Sequence, residues 1–401
     1  MERYKHKIKT VKAKVKKNKI TDKIKYAGVY DTQIDLFESQ YPIPDGITYN
    51  SYVILDEKVA VLDTAERDFF DDWIKNVELH LDGRRADYLI VHHMEPDHSA
   101  NIKRFIERFP SAKIIATEKA FDMMENFFGK DLSKNGIIAS SGDKLSLGEH
   151  TLLFITAPMV HWPEVMVSYE GRTKTLFSAD AFGTFGKAKI TDDWRDEARR
   201  YYIGIVGKYG RQVRSLLSKI RNLDIMRICP LHGPVISENI EHYVNLYDTW
   251  ASYRYEERGV LIAYTSIYGN TREGALLLRD ELCRLGCKTA IYDLARCDMS
   301  RAISDAFRYS ALVLAATTYN ADIFPPMRMF IHGLCERNFG SRTVGIIENG
   351  SWAPTAGRVI LNILSKCDNL TFAKNYVRVA SALSDKNKSE IKALAKELSE
   401  I

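Results

Sequence analysis

DYLIVHHMEPDH, residues 87–98, is the stretch on which the fold turns. Tyr88–Val91 is an apolar run of buried-strand type, and polar residues begin abruptly where it stops. His93, Glu95, Asp97 and His98 then place four potential metal ligands at alternate or adjacent positions around Pro96. Proline bars regular helix interior, so the segment predicts a loop at a strand end whose side chains converge. One short segment cannot close a metal site alone. Outward along the chain, His161 follows ITAPMV (155–160), Asp180 ends KTLFSAD (174–180) and His232 sits in CPLHGP (229–234), each where an apolar strand stops. A lone histidine of this kind is usually structural. Seven ligand-type residues at strand ends suffice for two metals, with Asp180 as a bridging carboxylate. His92 points to the other face if the strand continues, and His6, His80, His150, His242 and His332 have no such partners. Three carboxylates with four imidazoles and no thiolate suit iron or manganese better than tetrahedral zinc, which the spacing does not exclude.

The chain has 401 residues, enough for two or three domains, and its 45% apolar content supplies real cores. It carries 57 Lys and Arg against 52 Asp and Glu. Residues 1–25 hold 11 of those basic residues against two acidic ones, so residues 26–401 carry 46 against 50. The basicity therefore belongs to an N-terminal arm, 1–25, whose residues 5–19 read as a solvated leader in preference to a frayed edge strand or a nucleic-acid or acidic-partner contact. No secretory apolar stretch and no run of membrane-spanning length is present, which predicts a soluble, cytoplasmic protein. The six cysteines contain no C-x-x-C pair. They read as reduced thiols, without a disulfide framework or a fused rubredoxin-type module.

Two regions follow the arm. Over 26–257 strands predominate, with NSYVILD and KVAVLDT as a hairpin turning at Glu57, and with amphipathic helices at 69–81, 101–109 and 119–128. This mixture predicts a sandwich with helices outside. A helix across 236–257, ending at Gly259, marks the junction. Over 258–401 strands and helices alternate strictly: VLIAYTS, a helix from Asn270 to about Cys283, KTAIYDL, 299–309, ALVLAATTY, 325–337, RTVGIIENG, 354–366, YVRVASAL and 385–399. Five such units mean a doubly wound parallel sheet.

The second chemical signal lies in that sheet. Ser266, Ile267, Tyr268, Gly269, Asn270 and Thr271 connect its first strand to a helix, presenting hydroxyls and backbone N–H groups at a helix N-terminus, which is a phosphate cradle. Thr318, Tyr319 and Asn320 follow the third strand, and Asn349, Gly350, Ser351 and Trp352 the fourth. Both loops lie at strand C-terminal ends, where such folds bind ligands. Tyr319 and Trp352 could cover a planar ring. The three loops resemble a flavodoxin FMN site, with Thr317 standing where related domains often have proline.

The H-x-[EH]-x-D-H loop with its distant His, Asp and His resembles the metallo-β-lactamase fold, and Glu95 in place of a second histidine resembles the flavodiiron proteins. The similarity extends through YPIPDGITYNSYVILDEKVAVLDT (41–64) and DEARRYYIGIVGKYG (196–210). It implies an α/β chain: an N-terminal metallo-β-lactamase-like αββα sandwich followed by a flavodoxin-like doubly wound parallel sheet. It also implies two iron ions and FMN, with His93, Glu95 and His161 on one iron, Asp97, His98 and His232 on the other, and Asp180 on both. Tyr202, or its neighbour Tyr201, and Trp162 are taken as proton donors or walls of the pocket. The implied reaction is reduction of O2 to water or NO to N2O, with electrons from an external donor such as rubredoxin or a reductase. The implied assembly is a head-to-tail homodimer or a tetramer. The competing enzyme is a binuclear zinc hydrolase with a flavodoxin-like accessory domain.

Overall fold

The computed structural model describes residues 20–187, 189–191 and 193–401. Most of the basic arm lies outside the described residues. Residues 5–19, read as a leader, are among those outside, and beyond them Ile24–Tyr26 is a strand, paired antiparallel with Tyr52–Leu55.

Side-chain alternation in the first sheet explains the layering. Its six strands run in the order Ile24–Tyr26, Tyr52–Leu55, Val59–Leu62, Tyr88–Ile90, Lys113–Ala116, Gly136–Ile138. Along Val59–Leu62, Val59 and Val61 face the helices Phe70–Leu81 and Ile102–Arg108, while Ala60 and Leu62 face the second sheet. Residues two apart share a face, so both faces are apolar and both are covered. The second sheet holds Lys144–Ser146, Thr151–Thr156, Met166–Glu170, Thr175–Phe177 and Arg227–Cys229. Leu152, Phe154, Met166, Phe177 and Cys229 close the space between the sheets. Helices Gly210–Ile220 and Ile240–Ala251 lie on its outer side, completing the four-layer sandwich.

The expected junction helix is shorter than its apolar pattern. It stops at Ala251, where Tyr253 takes a left-handed conformation, and the next strand opens at Glu257. Glu256 is withdrawn from any helix by its partners: it accepts from Trp250 Nε1 at 2.7 Å and from the buried Arg199 at 3.1 Å.

Beyond the junction, parallel strands run in the order Thr289–Asp293, Glu257–Tyr264, Tyr309–Tyr319, Thr343–Asn349, the last flanked by Thr371–Phe372 and Val377–Val379. Helices Asn270–Arg284 and Asp385–Ser399 cover one face; Met299–Arg308, Pro325–Glu336 and Ala356–Leu364 cover the other. The apolar core on the second face is continuous with that of the sandwich. Polar ties cross the same boundary, Arg199 reaching Asp305 at 3.3 Å and Arg337 donating to the Ile203 carbonyl at 3.0 Å.

Candidate functional site

The strand Tyr88–Ile90 delivers His92 and His93 to the edge between the two sheets. Pro96 does not make the loop expected of it. It opens a helical turn, Pro96–Ser99, occupying the one helical position where a missing N–H costs nothing. That turn carries Asp97 and His98 side by side.

The structure brings all seven candidate ligands together in two groups: His93, Glu95, His161 and Asp180, and Asp97, His98 and His232. In the first, His161 Nε2 lies 3.0 Å from Glu95 Oε2 and 3.1 Å from Asp180 Oδ2, and His93 Nε2 lies 3.2 and 3.3 Å from the same oxygens. In the second, the Nε2 atoms of His98 and His232 are 3.0 Å apart and stand 3.3 and 3.2 Å from Asp97 Oδ2. Asp180 faces both groups, its Oδ2 toward the first and its Oδ1, 3.8 and 3.7 Å from His98 and His232, toward the second.

Donor atoms 3.0–3.3 Å apart match neighbouring ligands on one ion with bonds of about 2.1 Å. Without a cation the arrangement is poorly satisfied. Both Asp97 oxygens and Asp180 Oδ1 are buried with no well-formed hydrogen bond, an expensive condition that bound cations relieve. The electrostatics agree. Burial opposes charge on Asp180, yet the His93 and His161 imidazoles hold its carboxyl well below the usual range. Burial also opposes charge on His161, which its Asp180 and Glu95 contacts nevertheless raise to about 9.

The surrounding residues fix the imidazoles. Glu164 Oε1 lies 2.8 Å from His93 Nδ1 and accepts the Met94 N–H, while the Thr48 carbonyl accepts from His232 Nδ1 at 2.7 Å. Both contacts place the proton on Nδ1 and leave Nε2 free to ligate. Glu164 was not legible in the sequence as a site residue, because its role arises only when the turn leading into strand Met166–Glu170 folds beside His93. His92 makes a Ser168–His92–Asp63 line, with contacts of 2.8 and 2.6 Å. All three residues are buried, so this line braces the loop and offers no path for a hydrolytic substrate.

The tyrosine assignment needs correction. Tyr202 packs on Tyr247 and Trp250, ring centres 5.0 and 5.4 Å away, and lies away from the ligands. Tyr201 is the one that faces them, 5.6 Å from His232 and against Phe185. Burial and the nearby Asp180, Asp97 and Glu95 keep its phenol protonated. The helix Trp194–Tyr201 widens into a π-helical stretch at Tyr202–Val206, which sets the directions of the two rings. Trp162 flanks the site, 5.3 Å from His93 and 6.1 Å from His161. Glu38, on the turn between Leu36–Phe37 and Tyr41–Pro42, was also missed. Partial desolvation and the Glu95 carboxylate push its carboxyl up to about 7.

The second candidate site is a cavity of about 480 Å³ at the C-terminal ends of the parallel strands. Ser266, Ile267, Tyr268, Asn270, Thr271, Thr318, Tyr319, Asn320, Asn349, Gly350, Ser351 and Trp352 all line it. Gly269 sits behind them at φ +97°, as the residue that turns the chain into helix Asn270–Arg284. No side chain caps that helix, so its first N–H groups remain available to an anion. Thr317, the departure from proline, links the first and second loops through Thr271 Oγ1 at 2.8 Å and the Thr265 carbonyl at 3.3 Å. Thr318 Oγ1 accepts the N–H groups of Thr355 and Ala356, joining the second loop to the third. The Tyr268 and Trp352 rings are more than nine-tenths exposed on the rim.

Comparison with known proteins places the chain among relatives of the same architecture. A family described as "ODP family beta lactamase" matches residues 47–233. A nitric oxide reductase of Moorella thermoacetica is 31% identical over 316 residues, covering 76% of this chain and 79% of that protein. Rubredoxin oxygen:oxidoreductase of Desulfovibrio gigas superimposes with a TM-score of 0.87 at 24% identity, covering 95% and 97% of the two chains. The flavodiiron protein of Giardia intestinalis does so with 0.89 at 21%, covering 96% of each. Sequence relationship across three quarters of the chain and architecture across nearly all of it coincide, and the chain belongs to the flavodiiron protein family of oxidoreductases.

Proposed function

We propose that the chain is an FMN- and diiron-dependent reductase of O2 to water or of NO to N2O. The observation that carries this reading is Asp180, one carboxylate whose two oxygens face two separate groups of ligands. His93, Glu95 and His161 would hold one iron, Asp97, His98 and His232 the other, and Asp180 both. The phosphate of FMN would sit at the start of helix Asn270–Arg284, with the ring between Tyr319 and Trp352. When bound, FMN accepts electrons and passes them on singly, and the iron pair binds and activates the diatomic gas.

The rest is work for the protein. Glu164 and the Thr48 carbonyl hold imidazole protons at Nδ1 so that each Nε2 lone pair faces inward. Tyr201 and Phe37 pack on His232, with Phe185 behind both, and keep water from that side of the ring. Glu38 and the Tyr201 phenol, both kept toward their protonated forms by burial and by the carboxylates, are the groups beside the ligands suited to carry a proton.

Electrons arrive from a separate donor, such as rubredoxin or a reductase. A head-to-tail homodimer, alone or within a tetramer, would set one copy's flavin against the other's metal centre; the exposed rings at the cavity rim suit such a contact. No helix among the described residues is long and apolar enough to cross a membrane, which accords with a cytoplasmic location. The test is anaerobic reduction of iron-loaded protein, followed by flavin reoxidation with O2 and, separately, with NO. Rapid reoxidation by either gas is expected. Two bound zincs, hydrolysis and no reoxidation would instead identify a hydrolase.

A further inference from the structure

Two of the six cysteines stand together. Cys335 lies in the last turn of helix Pro325–Glu336. Cys367 lies in the turn after helix Ala356–Leu364, its N–H donating to the Leu364 carbonyl at 2.9 Å. The helices pack through Ile331, Leu334, Ile360 and Ile363, and this packing sets the two Sγ atoms 2.9 Å apart. Both residues are half-buried, whereas Cys229 is sealed in the core and Cys283 contacts the Thr289 hydroxyl.

We propose that Cys335 and Cys367 are a reversible oxidation site, a dithiol that hydrogen peroxide converts into a disulfide between the trailing ends of two helices. Two sulfurs this close need little backbone movement to bond, since the helices already bring them into register. The Cys367 S–H hydrogen bond, assisted by the Lys366 ammonium, holds the Cys335 thiol below its ordinary range, and burial opposes it only in part. Cys335 is therefore the attacking thiolate.

Its sulfur attacks one peroxide oxygen and the O–O bond breaks. The hydroxide that leaves takes up a proton to become water, and Cys335 is left as a sulfenic acid. Cys367 then loses its proton and attacks that sulfur. The S–O bond breaks, a second water leaves, and the S–S bond forms. Two thiols have given up two electrons and the peroxide has accepted them. A small dithiol returns two electrons and two protons and restores the pair.

The site also has a position in the fold that gives the bond something to restrain. Helix Pro325–Glu336 begins just after the second loop of the flavin cavity, and helix Ala356–Leu364 begins at the third.

The experiment uses the full-length, cofactor-loaded protein, reduced and freed of reductant without air, then treated with graded hydrogen peroxide. Unfolding in a maleimide reagent counts free thiols, and peptide mass spectrometry locates any link. The expected result is loss of two of the six thiols, a single Cys335–Cys367 linked peptide, recovery with dithiothreitol, and unfolding a few degrees higher when oxidised. Neither Cys335→Ser nor Cys367→Ser should give the linked peptide: Cys335→Ser should retain all five remaining thiols at the same dose, whereas Cys367→Ser should stop at a Cys335 sulfenic acid that dimedone labels. Six titratable thiols at every dose, or a link that maps to Cys283, Cys287 or Cys297, would overturn the proposal. The wild-type peptide map stands alone if a variant misfolds.

Discussion

Glu164 Oε1 lies 2.8 Å from His93 Nδ1 and 2.7 Å from the Met94 backbone nitrogen, so one carboxylate oxygen fixes both the ring of a metal ligand and the backbone of the residue that follows it. Replacing such a partner typically weakens a metal site about 10–100-fold. Glu164→Leu should therefore lose iron from the first group preferentially. Iron titration of the apoprotein, compared with wild type, measures this; unchanged affinity would refute the bracing role.

Among the described residues Asp180 is the ligand whose two oxygens face both groups. Asp180→Ala should reduce bound iron from two per chain to one or none, while flavin content stays at wild-type level because the cavity draws on other loops. Metal and flavin analysis of one preparation separates this outcome from general unfolding, which would lower both.

The two adjacent tyrosines should behave oppositely. Tyr201→Phe alters a group packed on His232 and should slow gas reduction. Tyr202→Phe removes a buried hydroxyl that has no hydrogen-bond partner, so stability should hold or rise by about 1 kcal/mol with turnover nearly unchanged. Thermal unfolding and turnover of the two variants give the comparison.

Trp352 exposes 92% of its surface, so its truncation should leave the fold intact. A stacking contact contributes about 0.5–1.5 kcal/mol. Trp352→Ala should accordingly weaken FMN binding by roughly two- to tenfold, read from fluorescence quenching as flavin is added to the apoprotein.

Acid stability should depend on Asp56. Burial works against its charge, but the His150 backbone N–H at 2.6 Å, the His150 ring at 2.9 Å and the Glu57 N–H at 2.8 Å hold its carboxyl below the usual range. A depressed carboxyl stabilises the fold fully above its unfolded value, about pH 4, and that contribution is lost as pH falls through the folded value. Asp56→Asn should be less stable than wild type at pH 7, with the gap closing below about pH 4. Denaturant unfolding at both pH values would show a constant gap if Asp56 acted only by shape.

What the sequence made legible was what local pattern encodes. The alternating segments after Gly259 gave helices such as 385–399 to the residue, because each apolar face is read directly from spacing. Ligand-type residues at the ends of apolar strands were visible for the same reason. Glu164, Glu38 and the choice of Tyr201 over Tyr202 were not, since they depend on which side chains meet across sheets and on a π-helical stretch that shifts ring directions by a fraction of a turn. Pro96 was misread because its position within a helical turn, rather than its presence, decides whether it breaks one.

The uninterrupted apolar core shared by the sandwich and the parallel sheet has a consequence for engineering. A chimera that grafts another relative's C-terminal half onto this chain inherits a mismatched seam around the Arg199–Asp305 and Ile203–Arg337 contacts unless the helices lining that seam travel with the graft. Swaps between relatives should therefore succeed only when cut inside the sheet's exposed loops, not at the linker after Ala251.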